Sequence, residues 1–321
     1  MTKKPTFLND LLERAMREPN ADVTYDGNGD VRRYIPRRPI VNSLIDLNGD
    51  MLPELQTKSG MHLKRPPVGR PAGQTITLGA DIIAQSLVAQ AGANVIIYQD
   101  TTSAIPVGPA DDVFMQNIPT YFETVEASPF ALVPDGQEVA VSTLPISRAQ
   151  IHVDTSGGPQ TNTGIYMLRF EFDRATMKGY PDFSDAIMHA ITAGLARTAD
   201  AVLLGAIVAK NPAAFTLSAA AAASVRFDEL RAVIGTAGTG AAVGQDGVLR
   251  AAGVRGELTA DMATTIVGAF SRSAIMIRST VDVFAERVSA ANPLTGTLAV
   301  TAIVSLQPLL PDTSRFWTVG A

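Results

Sequence analysis

The chain has 321 residues, 46% of them hydrophobic and 18% charged, with a formal net charge of −5. Such a hydrophobic fraction excludes a disordered chain and supplies a sizeable core, and the acidic balance excludes a protein whose main affinity is for nucleic-acid phosphates. No cysteine is present, which removes disulfides, thiolate metal sites and a cysteine nucleophile.

Charge is unevenly spread: residues 1–75 carry 12 Lys/Arg against 9 Asp/Glu, and the rest 14 against 22. The start, MTKKPTFLNDLLERAMREPN, has no uninterrupted apolar run and no small-residue cleavage site, so no secretion signal is expected. Instead, Phe7, Leu8, Leu11, Leu12, Ala15 and Met16 predict an amphipathic helix over 6–18, too short to be stable unless docked. VTYDGNGDVRRY follows with a hairpin signal, Val23–Tyr25 and Val31–Tyr34 around a Gly/Asn/Asp turn. Residues 35–75 hold six prolines and little periodicity, the composition of an extended arm.

An Ala-rich helix is predicted over 78–91, then a strand at NVIIY, 94–98. Residues 114–173 read as mostly strand, broken by PDGQ at 134–137 and by DTSGGPQTNTG at 154–164, which suggests a long two-stranded excursion. IYMLRFEFDRA (165–175) alternates like a strand and leads into GYPDFSDAIMHAITAGLARTADAVLLGAI (179–207). There Phe183, Ile187, Ile191 and Leu195 follow i, i+4 spacing, and Asp182 and Asp185 favour a helix start. His189, Arg197 and Asp200 fall within the segment, which argues against a membrane span. Small residues, among them Ala193 and Gly194, cover much of its remaining surface. A short helix is expected over 227–234, a Gly-rich loop over 235–247, and strands at TTIVGAF, SAIMIRS, VDVFAERV, TLAVTAIVSLQ and RFWTV. The fold class is α+β.

The chemistry-bearing patterns are weak. DGNGD (26–30) and DLNGD (46–50) open like calcium loops, but Val31 and Met51 stand where Gly is needed and Arg37 and Thr57 where Glu is needed. Ordinary turns are the expected reading. GTAGTG (235–240) lacks the Gly-Lys-Ser/Thr ending of a phosphate loop, and no clear strand leads into it within a strand–turn–helix unit. His62, His152 and His189 show no metal-ligand spacing, and there is no Gly-x-Ser-x-Gly elbow. No catalytic residue, metal site or cofactor is expected. The run RRYIPRR supplies Arg32, Arg33, Arg37 and Arg38 for contact with an acidic neighbouring surface or, second, with packaged nucleic acid.

Taken together, residues 165–207 and the strands TTIVGAFSRSAIMIRSTVDVFAERV and TLAVTAIVSLQPLLPDTSRFWTV resemble the major capsid proteins of tailed bacteriophages with the Hong Kong 97-like fold. The resemblance implies an N-terminal helix and extended arm (1–75), the start of a peripheral domain (76–113) and an E-loop hairpin (114–164). It further implies a peripheral domain with a long spine helix (165–224), a reduced axial domain (225–300) and C-terminal strands (301–321). It implies a structural protein, not an enzyme, that self-assembles as pentamers and hexamers into an icosahedral shell around double-stranded DNA touched only weakly, with no membrane. Scaffolding, portal and decoration proteins are the implied partners. Assembly would take place in the host bacterial cytoplasm, with the virion capsid as destination. Residues 65–177 contain no lysine, so an E-loop lysine crosslink is not expected. Candidate inter-subunit contacts are Phe7, Leu11, Arg32, Arg33, Arg37, Arg38, Ala193 and Gly194. The alternatives are an encapsulin-type nanocompartment shell and, less favoured, an α+β enzyme.

Overall fold

A computed structural model describes residues 7–18, 21–36, 40–52, 76–99, 102–106, 113–117, 119–139, 141–152, 164–179, 183–288 and 297–320. Its elements in chain order are helix α1 (Phe7–Arg17), strands β1 (Ala21–Tyr25), β2 (Val31–Pro36) and β3 (Ile40–Asp46), and helices α2 (Leu78–Gln85) and α3 (Leu87–Gln90). Strands β4 (Asn94–Tyr98), β5 (Thr102–Pro106), β6 (Val113–Asn117), β7 (Thr120–Val125), β8 (Ile146–Ile151) and β9 (Gly164–Phe172) come next. Helices α4 (Arg174–Gly179), α5 (Phe183–Val208) and α6 (Leu217–Ala222) follow. Then come β10 (Arg231–Ile234), β11 (Ala241–Val243), β12 (Leu249–Ala251), β13 (Val254–Leu258), β14 (Ile266–Gly268), β15 (Ala274–Arg278), β16 (Thr280–Arg287), β17 (Leu298–Leu309) and β18 (Phe316–Thr318). The class is α+β, and the chain divides into two compact units.

The first unit comprises Met1–Gln85, Gly164–Thr198 and Arg278–Ser305. β16 pairs antiparallel with β3 on one side and with β17 on the other, and β9 also pairs with β17. Alternation along β16 buries Val281, Val283 and Ala285, as the two-residue side-chain period requires. α1 packs on β3 and β16 with Leu8, Leu11, Leu12 and Ala15 buried. Its last turn is closed by Arg287, whose Nη2 donates to the carbonyls of Met16 at 2.8 Å and Glu18 at 2.6 Å, satisfying acceptors that a helix end leaves open. The DLNGD stretch is a turn: the Asp46 carboxylate accepts from Asn48 N–H at 3.0 Å, and Asp50 accepts from Asp46 N–H at 2.8 Å. DGNGD uses Asp26 in the same way, at 3.0 and 2.9 Å.

The second unit comprises Ser86–Thr163, Ala199–Ile277 and Leu306–Ala321. Its larger sheet runs β11-β12-β13-β10-β14-β18. The core includes Leu230, Ile234, Val254, Val267 and Trp317, with Trp317 edge-on to Phe215 at 6.0 Å. The helix expected over 227–234 is a 3-10 turn, Phe227–Glu229, followed by a strand. The reason is non-local: β10 lies between parallel β13 and antiparallel β14, which satisfy its backbone groups. That strand leads directly into GTAGTG, yet a strand follows the loop and no helix does, so the strand–loop–helix unit of a phosphate cradle is absent there. Gly235 is required by packing, since a Cβ there would lie 2.4 Å from the Ala263 carbonyl oxygen. Gly235→Ala is expected to cost about 3 kcal/mol or more through forced backbone displacement, read as a lowered urea midpoint.

The helix expected over 78–91 is interrupted at Ser86, which is extended (φ −68°, ψ 125°) and caps α3 by accepting from Ala89 N–H. The interruption is held by Asp200 of α5. Its carboxylate accepts from Ser86 Oγ at 2.6 Å, Leu87 N–H at 2.9 Å and Val88 N–H at 3.1 Å. Burial pushes this carboxyl above the usual carboxylate range; the three hydrogen bonds oppose that shift and nearby Asp261 adds to it.

Candidate assembly surfaces

α5 runs 26 residues, about 39 Å at 1.5 Å per residue. Phe172 at the end of β9 packs edge-on against Phe183 at the start of α5, ring centroids 4.5 Å apart, which fixes the angle between strand and helix. α5 is long and apolar enough to cross a membrane, but half of its most apolar window is buried in the protein, and Asp200 lies within it. Asp182 lies outside the described residues.

The expected contact residues are scattered. Leu11 is buried at 1% exposure on the face of α1 that packs against β3 and β16, so its side chain is occupied within its own unit. Phe7 opens α1, and its side chain is outside the described set, as are Arg37 and Arg38. Arg32 and Arg33 are exposed on β2 beside exposed Tyr34. Ala193 is exposed on α5. Gly194 is half-buried and lines an apolar cavity of about 100 Å³ with Leu168, Ile191, Leu195, Val281 and Val304. A Cβ on Gly194 would meet Leu168 at 3.5 Å, an ordinary contact, so the small residue is not forced by its own unit.

Two features were not anticipated. One is the stretch between β7 and β8. The ladder runs from Thr120↔Ile151 to Val125↔Ile146 and is continued by Glu126 N–H to the Pro145 carbonyl at 2.9 Å. Beyond it, every described residue from 127 to 144 is exposed, with Phe130, Leu132 and Val141 at 96% or more. PDGQ forms the expected turn, with Gly136 at φ +79° and Gln137 N–H donating to the Pro134 carbonyl. Apolar side chains this exposed have no partner within the chain that keeps them from water.

The other is an ion cluster at the distal end of that ladder. Glu126 is paired with Arg272 and, at 3.3 Å, with Arg315. Arg272 also meets Glu229 at 3.2 Å, and Arg315 meets Asp312 at 3.1 Å. The Arg272 side chain is 18% exposed and that of Arg315 11%. Burial pulls the Arg272 guanidinium below its ordinary value, and the neighbouring charge of Arg315 pulls in the same direction. Among the described residues, Arg315 Nη1 is buried without a hydrogen-bond partner. The pieces lie up to 189 positions apart in sequence; Arg272, Asp312 and Arg315 stand in the strand segments on which the resemblance rests, but no short window joins them to Glu126 or Glu229.

No group of three or more potential ligand side chains is gathered among the described residues. No protein-family model matches the chain, and no curated protein does. Solved structures do resemble it at low identity. The capsid of a native GTA particle, computed with C5 symmetry, matches at 12% identity over 82% of this chain and 96% of that one, TM-score 0.43. A chain of the satellite phage P4 procapsid, a structure that includes the size determination protein, matches at 10% over 76% and 97%, TM-score 0.42. A chain of Mycobacterium phage Che8 matches at 12% over 64% and 85%, TM-score 0.39.

Proposed function

We propose that this chain is a shell-forming major capsid protein with the Hong Kong 97-like fold. The observation that carries the reading is the solvated apolar stretch 127–144 between β7 and β8, on the same chain as a strand-fed helix of 26 residues. An exposed apolar loop of this size is a liability for a solitary subunit and an asset for one that is covered by its copies. A contact between two different patches is heterologous, and heterologous contacts repeated by rotation close into rings and shells. In this reading 114–164 is the E-loop, α5 the spine helix, and the sheet from β10 to β14 the reduced axial domain. Many modest interfaces then sum to a stable container.

Pentamers and hexamers form an icosahedral shell without a covalent weld, since residues 65–177 supply no lysine. The acidic balance keeps free subunits soluble and keeps DNA contact weak. Scaffolding, portal and decoration proteins complete the particle, which is built in a bacterial cytoplasm. Arg32, Arg33 and Ala193, all exposed, are the expected contact residues available to a neighbour.

Negative-stain electron microscopy of the purified protein, with a nucleic-acid stain and a denaturing gel, tests this reading. Closed shells, nucleic acid in particles made during infection, and a single monomer band are expected. A discrete small oligomer overturns it, and shells filled with protein and free of nucleic acid favour the encapsulin-type alternative. Ala193→Leu separates assembly from folding, because Ala193 is exposed in the subunit. The substitution should leave the unfolding free energy from urea titration within about 0.5 kcal/mol of wild type and lower the yield of shells.

A further inference from the structure

Among the described residues the β7–β8 ladder is a two-stranded sheet of its own, held to the body by side-chain contacts, with its paired Phe122 and Ala149 packed against the apolar cluster of Ala274, Met276 and Leu309. The two ends are held by different chemistry. At the Thr120/Ile151 end, Ile151 is buried with Ala274, Met276 and Leu309. Gln307 there donates to the Gln150 carbonyl at 2.9 Å and accepts from His152 N–H at 2.8 Å, and the Tyr98 and Thr120 hydroxyls lie 3.1 Å apart. No ionised side chain takes part in these bonds. At the Val125/Ile146 end the holding group is Glu126, placed between Arg272 and Arg315.

We propose that Glu126 is a latch: while ionised it pins the distal end of the ladder, and once neutralised it lets the ladder swing about its uncharged end, carrying 127–144 with it. Removing the negative charge leaves two guanidinium groups facing each other in a half-buried setting, where like charges repel more strongly than in water. Each arginine keeps one acid, Glu229 for Arg272 and Asp312 for Arg315, so both stay with the body while the ladder loses its hold. The groups facing Glu126 are therefore Arg272 from the 3-10 turn at 270–272 and Arg315 from the loop before β18, with Asp312 and Glu229 behind them. Six residues at about 3.3 Å each make a lever of roughly 20 Å, so a modest rotation moves the apolar loop a long way. The latch belongs to the single subunit and holds whatever that subunit assembles into.

The absence of cysteine allows a clean distance measurement. Spin labels at Ser142→Cys and Ala213→Cys, both exposed positions, are read by double electron–electron resonance with the labelled chain diluted in unlabelled chain. Wild type at about pH 7 should give one narrow distance distribution. Glu126→Gln should at least double its width at the same pH. Glu123→Gln, which breaks only the exposed Glu123–Arg148 pair inside the ladder, should stay narrow. A narrow distribution for Glu126→Gln overturns the latch. Should Glu126→Gln fail to fold, Glu126→Gln with Arg315→Met removes the repulsion as well, and a narrow distribution there also overturns the proposal.

Discussion

Replacing residues 127–144 by an Asn-Gly pair should abolish shell formation and leave the subunit folded. The cut falls just beyond the bond from Glu126 N–H to the Pro145 carbonyl, so the ladder and the ion cluster remain, and with Pro145→Thr added to supply the N–H that a two-residue turn needs, Asn-Gly closes the hairpin in a favoured turn. The described residues among those removed are all exposed, so little of their burial is lost. Shortening the loop lowers the entropy of closing it, and the unfolding free energy should stay equal or rise by up to about 2 kcal/mol. Urea unfolding and analytical ultracentrifugation read the two sides: an unchanged or raised midpoint, and a sedimentation profile without particles. Normal shells from this variant would remove the loop from the assembly interface and with it the main support for the capsid reading.

Asp200→Ala should lower subunit stability by about 3 kcal/mol. It strips the acceptor from the Ser86 hydroxyl and from the N–H groups of Leu87 and Val88, and unsatisfied buried donors cost about 1–3 kcal/mol each, offset in part because a buried carboxylate no longer needs desolvation. Asp200→Asn should cost less, since one oxygen still accepts while the amide faces Leu87 N–H as a second donor. The pH dependence has a definite sign. The folded-state pKa of Asp200 is raised above its unfolded value, mainly by burial. Its contribution is therefore fully present below the unfolded pKa and is lost as pH rises through the folded pKa. Urea midpoints across the acid range should show wild type exceeding Asp200→Asn by most in acid, with the gap narrowing toward neutral pH. A gap that widens with pH would contradict this assignment.

Local signals carried the parts of the fold that local physics decides. The apolar spacing from Phe183 to Leu195 and the acid at Asp185 specify α5, because a helix satisfies its own backbone and needs no partner to declare its period. Alternation at Leu168, Phe170 and Phe172 gave β9, and Pro134–Gln137 gave its turn for the same reason.

Elsewhere the tertiary structure decided. Residues 231–234 are too few for a period to separate helix from strand, and β13 and β14 settled the matter by supplying hydrogen bonds from far along the chain. Ser86 breaks a helix that its neighbours would continue, because Asp200, 114 positions away, captures the next N–H groups. The apolar face of α1 had to be covered, but only the fold showed β3 and β16 of the same chain covering it. Glu126 looks like any surface glutamate in the sequence; its place between Arg272 and Arg315 exists only once the loops are folded together. Periodicity and turn chemistry are written within a few residues, whereas register, caps borrowed from a distance and ion pairs are set by chain closure, which no short window contains.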